Sequence, residues 1–400
     1  MEQVAIVGAG IGGLTLALAL RQRGVDAVVY EQASSLHEIG AAVALSANAT
    51  RLLAELGVGD ALDEVSTEPT ELIFRSWSDG RRISSFPVKE EQWYRTTCGA
   101  PYYGVHRKEL QRILGQAWGE DAVRLGHRLV GLDRTVDGVR LTWADGTSDT
   151  ADLVVGADGV RSTVRQWMTG GDDTRFSGTS GFRGIVPVDL LPSLPDPQAI
   201  QFWVGPGAHL LHYAIGRDGG HVNFLAVVEG PDRWRQGSVW RDDCAHDEAM
   251  AHFQGWHPAV TEMVGAVTHT ERWGLFVVQS LRHWSRGHVV LIGDAAHGML
   301  PHQGQGANQT IEDAVVLADL LVTPGTDSVQ QRLAEYEHRR KPRARRVQRL
   351  SWVTNRILHV EDGPEASARN AMLQDVARDI RWIHDFDARR QMPSSLMKRV

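Results

Sequence analysis

At roughly 100–200 residues per domain, 400 residues suggest two or three domains, and 42% hydrophobic with 23% charged residues is an ordinary globular balance; a mainly disordered, collagen-like or coiled-coil chain is excluded. Lys and Arg number 42 against 49 Asp and Glu, a net charge of −7, so no basic face for nucleic acid is expected. The 2 cysteines, Cys98 and Cys244, lie far apart with no CxxC pair, which speaks against a disulfide framework or a cysteine metal site.

In chain order, Val4-Ala5-Ile6-Val7 is a short β-branched run that suits a buried parallel strand. Gly8-Ala9-Gly10-Ile11-Gly12-Gly13 follows, then the helix-length apolar stretch Leu14 to Leu20, with Gly24 placed to stop the helix in the left-handed conformation. Ala27-Val28-Val29-Tyr30 predicts a second buried strand, ending in Glu31. The apolar run Ala5 to Leu20 is broken by four glycines and preceded by Glu2, so it suits neither a signal peptide nor a membrane span. A soluble cytoplasmic protein without a membrane partner is the expectation.

Two further strand-plus-acid units come later: Ala151 to Val155 leads into Gly156-Ala157-Asp158-Gly159, and His288 to Ile292 leads into Gly293-Asp294. Between them the texture changes. His209 to Ile215, the turn Arg217-Asp218-Gly219-Gly220 and Val222 to Val228 read as a β-hairpin. An antiparallel insert therefore interrupts a parallel α/β domain. After Asn308 the chain turns helical, and from about Val329 it is rich in Arg, Glu, Ala and Leu.

The Gly8-x-Gly10-x-x-Gly13 motif sits between strand and helix, where its glycines permit a tight turn, approach of a pyrophosphate to the backbone, and close helix–strand packing. Free N–H groups and the helix dipole then hold phosphate charge. Glu31, at the end of the second strand, is placed to accept hydrogen bonds from a ribose. This motif alone does not separate NAD from FAD. Period-two alternation puts His209, Leu211 and Tyr213 on one strand face, opposite Leu210 and His212. An imidazole there could act as a general base, while a hydrogen-bonded structural histidine is the bland alternative. His297 and His302 are poorly spaced for a zinc site, and no metal is expected. The run His338 to Arg346, beside Glu335 and Glu337, reads as a solvated helix face.

Gly156-Ala157-Asp158-Gly159-Val160-Arg161-Ser162-Thr163-Val164-Arg165, and Gly293-Asp294-Ala295-Ala296-His297 with Pro301, Gly304-Gln305-Gly306-Ala307-Asn308 and Glu312-Asp313, resemble the second and third fingerprints of the class A flavin-dependent aromatic hydroxylases, typified by para-hydroxybenzoate and salicylate hydroxylases. The resemblance runs from Val4 to about Leu321 in the family's order. Tyr103 to Leu110 looks like the segment whose arginine contacts FAD, here Arg107. Gly40-Ala41-Ala42-Val43 with Asn48-Ala49 is similar to the flavin-side segment, with Ala42 and Ala47 where glycine and proline are usual.

The resemblance implies an α/β fold: a Rossmann-type FAD-binding domain (1–70, 101–178, 275–325), an inserted antiparallel β-sheet substrate domain (71–100, 179–274) and C-terminal helices (326–400). It implies non-covalent FAD held by Gly8, Gly10, Ile11, Gly12, Gly13, Glu31, Val43, Arg107, Asp158, Asp294, Gly306, Ala307 and Asn308. Asp158 and Asp294 could also merely cap turns. As the family implies, NAD(P)H reduces FAD, O2 adds at flavin C4a, and the hydroperoxide hydroxylates a phenolic or hydroxy- or amino-aromatic acid. His209, Tyr213 and His302 are the catalytic candidates, and Arg183, His209 and Tyr213 the substrate contacts, in a monomer or homodimer. The alternative within the family is epoxidation or oxygenation of a non-aromatic natural product. A simple NAD-dependent dehydrogenase would have no use for the later fingerprints, and a flavin sensor would consume no NAD(P)H.

Overall fold

The structure is a computed structural model, and it describes residues 3–36, 42–136, 138–231, 233–234, 241–244, 246–267, 270–323 and 328–390. The amino-terminal strand Val4–Val7 lies in the middle of a six-stranded sheet, flanked in parallel by Ala27–Tyr30 and Leu153–Gly156. Val289–Leu291 adds in parallel beyond Leu153–Gly156, and Val123–Arg124 beyond Ala27–Tyr30. The two late strand-plus-acid units are thus neighbours of the first strand, which brings Gly8, Asp158 and Asp294 to one edge of the sheet. Helix Ile11–Gln22 buries every residue from Ile11 to Leu20, as an all-round apolar helix must. It is sandwiched between the sheet and helix Gly306–Val322. Gly24, at φ +70°, stops it as expected.

The insert forms an eight-stranded sheet in the order Arg241–Cys244, Thr270–Val278, Thr174–Pro187, His221–Glu229, Ala208–Ile215, Ile200–Gly205, Glu71–Ser76, Arg82–Pro87. The hairpin 208–215/221–229 forms as the turn residues predict. The pairing is antiparallel with one exception: Ile200–Gly205 runs parallel to Glu71–Ser76. Those two strands are joined by a long excursion through the six-stranded sheet, so the chain is free to re-enter in the same direction. Alternation splits the 208–215 strand as expected. Leu211, Tyr213 and Ile215 pack with Phe74 and Phe202, while Ala208 and Leu210 pack with Phe182 and Phe224 under helices His246–Ala251 and Pro258–Gly265.

The carboxyl-terminal part is helical: Val329–Leu358, Pro364–Leu373 and Val376–His384. Ser328 and Gln331 form a reciprocal capping box at the start of the longest helix. No described helix is long and apolar enough to cross a membrane.

Candidate active site

A cavity of about 900 Å³ runs between the two large sheets. Its first wall is backbone. Gly8, Gly10, Ile11 and Gly12 bring the start of helix Ile11–Gln22 to it, and Gly304, Gly306 and Ala307 bring the start of helix Gly306–Val322. Neither helix has an acid in its first turn, so both positive ends are open to an anion. Two of these glycines, Gly8 and Gly12, have no room for a side chain. A Cβ on Gly8, which sits at φ +109°, would lie 2.5 Å from the Ala157 carbonyl oxygen, and one on Gly12 would lie 2.4 Å from Thr310 Cγ2. Gly13 is not on the wall; its Cβ would stand 1.9 Å from the Gly8 carbonyl oxygen, so it serves the helix–strand contact instead.

Three carboxylates reach this wall. Glu31 accepts from the Ala9 N–H through Oε2 and from the Ala33 N–H through Oε1, both at 2.9 Å, which fixes it against the glycine turn. Asp158 caps the Val164 N–H through Oδ2 at 3.1 Å, while its Oδ1 is buried without a partner. Burial pushes the Asp158 carboxyl up, against the hydrogen bonds it accepts from Ser162 and Val164. The capping role foreseen for Asp158 is therefore present, on a residue that also lines the cavity. Asp294 opens the short helix Asp294–His297 on the same wall, beside Gly306. Val43 and Arg107 complete it, whereas Gly40 and Ala41 lie outside the described residues. Asn308 is buried behind the wall. It accepts from the Ser46 N–H at 2.9 Å and donates to the Ala44 and Gly304 carbonyls at 2.9 and 2.6 Å, stapling the 42–45 strand to the glycine loop. An orphaned acceptor, two bare helix ends and a glycine cradle fit a dinucleotide that carries a pyrophosphate and a polyol.

The second wall is side chains of the eight-stranded sheet. Cross-strand register stacks them in rows: Leu211, Leu225 and Arg183 form one, Tyr213, Asn223 and Ile185 the next. Of these all but Ile185 line the cavity, with Trp273, Leu275 and Phe276. Arg183 lies over the Trp273 ring at 5.2 Å. Burial and then the neighbouring Arg107 lower its pKa to about 10, which leaves it charged at neutral pH. Among the described residues no carboxylate pairs with it. Burial raises the Tyr213 phenol above its ordinary value, so it stays a neutral hydroxyl.

His209 and His302 are not on the cavity wall. His209 shares its face with Leu211 and Tyr213, as alternation requires, but its row continues into Val227, which is covered by Leu300 and Trp352. Its Nδ1 lies 2.7 Å from Nε2 of His359, and its ring stands edge-on to His302 at 4.9 Å. The expectation that His209 meets the substrate is thus corrected by the long C-terminal helix, whose end closes over that row. Burial lowers all three histidines: His209 well below its ordinary value, helped by His359 and His302, His302 to about 3, and His359 to about 4.

The arginine run is a second correction. Arg340 and Arg343 point inward. Arg340 donates to Asp313 at 2.7 Å and to Glu312 at 2.5 Å, and Arg343 grips Glu312 with two nitrogens at 2.7 and 2.8 Å. Burial alone raises both carboxyls, but Arg343 and Arg340 hold Glu312 below its ordinary range, and His297 and Arg340 do so for Asp313. Asp313 also accepts from the Gly293 N–H at 2.9 Å, and Glu312 from Asn48 at 2.6 Å, so this network braces the cavity wall from behind. The adjacent Glu312-Asp313 pair, leading straight into the apolar run Ala314 to Ala318, was the available signal: two buried acids call for buried bases.

A family model described as FAD binding domain matches residues 1–351. The chain is 39% identical over 388 residues to 3-amino-4-hydroxybenzoate 2-monooxygenase PtmB3 of Streptomyces platensis, covering 96% of each chain. It is 32% identical over 414 residues to a salicylate hydroxylase of Pseudomonas putida, covering 96% of this chain and 93% of that one. The chain belongs to the FAD-dependent aromatic monooxygenases. Its structure is similar to that of Klebsiella pneumoniae HpxO complexed with FAD and uric acid, at a TM-score of 0.84 and 29% identity, covering 96% of both chains. A salicylate hydroxylase substrate complex matches at a TM-score of 0.82 and 27% identity, covering 97% of this chain and 96% of that one. This monooxygenase uses FAD, NAD(P)H and O2 to hydroxylate an activated aromatic ring, and the relatives favour that reading over oxygenation of a non-aromatic compound.

Proposed function

We propose that the substrate is a hydroxy- or amino-substituted benzoate whose carboxylate pairs with Arg183 and whose ring hydroxyl meets Tyr213. The observation that carries this reading is the charged Arg183 inside the cavity, stacked on Trp273 with no carboxylate beside it among the described residues. An anionic aromatic acid supplies the missing charge, and Leu211, Leu225 and Leu275 supply the apolar slot for its ring. The two curated relatives named above are called after an aminohydroxybenzoate and salicylate, both aromatic acids.

In this reading residues 1–70, 101–178 and 275–325 serve FAD, 71–100 and 179–274 serve the substrate, and 326–400 back both. Glu31 takes the ribose, Arg107 and the start of helix Ile11–Gln22 the pyrophosphate, and Asp158 and Asp294 the polyol. When bound, FAD would relay to O2 the two electrons taken from NAD(P)H, so that one oxygen atom goes to the ring and the other leaves as water. The start of helix Gly306–Val322 favours negative charge on the ring edge it faces. Tyr213, held neutral, orients the substrate hydroxyl. His209 and His302, with His359, act as positioning residues that hold the 208–215 strand and the Leu300–Pro301 wall. We read the protein as a cytoplasmic monomer or homodimer, where NAD(P)H is at hand.

The test is a panel of substituted benzoates scored for NAD(P)H oxidation together with hydroxylated product. Arg183→Met is expected to raise KM for the productive acid about 10–100-fold, the worth of a hydrogen-bonded charge at roughly 1.5–3 kcal/mol. Unchanged KM with intact FAD content would remove Arg183 from the substrate site.

A further inference from the structure

The reading above leaves one polar side chain on the substrate wall without a task. Asn223 is 3% exposed and lines the cavity in the same row as Tyr213. Its Oδ1 accepts a hydrogen bond from the Ala42 N–H at 3.0 Å. That bond settles which way the amide faces, since only the carbonyl branch can accept from a backbone N–H. The other branch, the NH2 group, is therefore what Asn223 offers the cavity. No described residue accepts from it, and it is not among the buried side-chain atoms sealed away without a partner. It is an anchored donor facing open space.

We propose that Asn223 is a specificity-determining residue: its NH2 group, with the Tyr213 hydroxyl, receives an oxygen on the far side of the substrate ring from the carboxylate held by Arg183. This rests on the aromatic-acid reading of the site and narrows it. The Arg183–Leu225–Leu211 row and the Asn223–Tyr213 row are two residues apart along the strands, about 7 Å at the rise of an extended chain. That spacing matches the reach of a benzoate from its carboxylate to an oxygen at the meta or para position. An oxygen ortho to the carboxylate would fall back into the Arg183 row, away from Asn223. The polar groups on this wall, Arg183, Tyr213 and Asn223, can all donate, which suits a ligand presenting acceptors at both ends. The Ala42 N–H anchor prevents the amide from turning its carbonyl to the ring, so a substituent that only donates is disfavoured at that position.

The test uses the FAD-loaded enzyme and ligand binding read by perturbation of the flavin absorbance. The probes are 4-hydroxybenzoate, 4-methylbenzoate and 2-hydroxybenzoate. The wild-type protein is expected to bind 4-hydroxybenzoate at least tenfold more tightly than 4-methylbenzoate, and more tightly than 2-hydroxybenzoate. Asn223→Asp keeps an acceptor for Ala42 and loses the donor, so the 4-hydroxy to 4-methyl ratio should fall toward one while FAD content holds. Asn223→Leu should collapse the same ratio. A wild-type ratio near one, or a ratio that survives both substitutions, overturns the assignment. Arg183→Met separates this from the parent reading, because it should weaken all three benzoates together. If it weakens none of them, the aromatic-acid reading itself fails; if it weakens all while the Asn223 variants keep the ratio, only the role of Asn223 fails.

Discussion

The two walls of the cavity are built on different principles. The wall proposed for FAD is backbone: glycines, of which Gly8 and Gly12 are too crowded for a Cβ, two helix ends, and carboxylates such as Glu31 already tied to N–H groups. The wall proposed for the substrate is side chain: Arg183, Tyr213 and Asn223 come from three different strands and keep hydrogen-bonding or charge capacity in reserve. The first is rigid where, as at Gly8, a side chain would collide with main chain. The second is adaptable because each member can be exchanged without moving the sheet. A shared cofactor and a variable substrate call for that division.

The sharpest way to break the backbone wall is Gly13→Ala. Its Cβ would meet the Gly8 carbonyl oxygen at 1.9 Å, and neither partner can swing away. Purified variant should carry little or no FAD, and adding FAD should not restore the yellow holoenzyme. A variant that loads FAD normally would show that the turn can open at small cost.

Arg340→Met tests whether the FAD wall depends on the charges behind it. Removing that guanidinium leaves Asp313 without its arginine and Glu312 with Arg343 as its one arginine among the described residues, with both carboxylates fully buried. Breaking a buried pair in this way costs about 3–5 kcal/mol. Urea unfolding of the holoenzyme should show that loss, and FAD affinity should fall with it, because Asp313 holds the Gly293 N–H. Loss of stability without loss of FAD affinity would separate the brace from the wall.

This contrast also explains what the sequence could reveal. The wall proposed for FAD is local: Gly8 to Glu31, Gly156 to Arg165 and Gly293 to Asn308 each carry their own turn and acid and hold eleven of the thirteen positions named in advance, while Val43 and Arg107 came from the family resemblance; eleven of the thirteen line the cavity. Gly13 and Asn308 stand just behind it. The substrate wall depends on register between strands far apart in sequence. Alternation along one strand put His209 with Tyr213, correctly, yet could not show that the end of helix Val329–Leu358 covers one and leaves the other open. Asn223 and Trp273 gave no signal because an isolated Asn or Trp in a strand has no pattern. The inward Arg340 and Arg343 were hidden for the opposite reason: a charged run on a long helix looks solvated until its partners Glu312 and Asp313 are seen to be buried.

The smallest effect sharpens the comparison by asking what the covered histidine row contributes. His359 is buried against His209, with Glu229 Oε1 3.6 Å from its Nδ1 as the one facing carboxylate among the described residues, and that carboxylate is largely exposed. Burial lowers His359 to about 4, against roughly 6.5 in an unfolded chain. The unfolded state therefore takes up a proton that the folded state refuses as pH falls below 6.5. The stability is intact above that value and declines toward the folded value of about 4, at roughly 1.4 kcal/mol per pH unit for this one group. His359→Gln keeps an amide donor beside His209 Nδ1 and removes the titration. At pH 8 the variant should be about 1 kcal/mol less stable, for an imperfect hydrogen bond. Between pH 6.5 and 4.5 it should lose roughly 2 kcal/mol less than the wild type, so the two stability curves converge or cross. His212 and His384 are lowered by burial in the same direction, but they titrate in both proteins and cancel in the difference. His209 and His302 are lowered by burial and also by His359, so the variant relieves part of their shift and the difference reads the three coupled histidines together. Curves that stay parallel across that window would mean that His359 is protonated in the folded protein, paired with Glu229, and that the row behind the substrate wall carries charge.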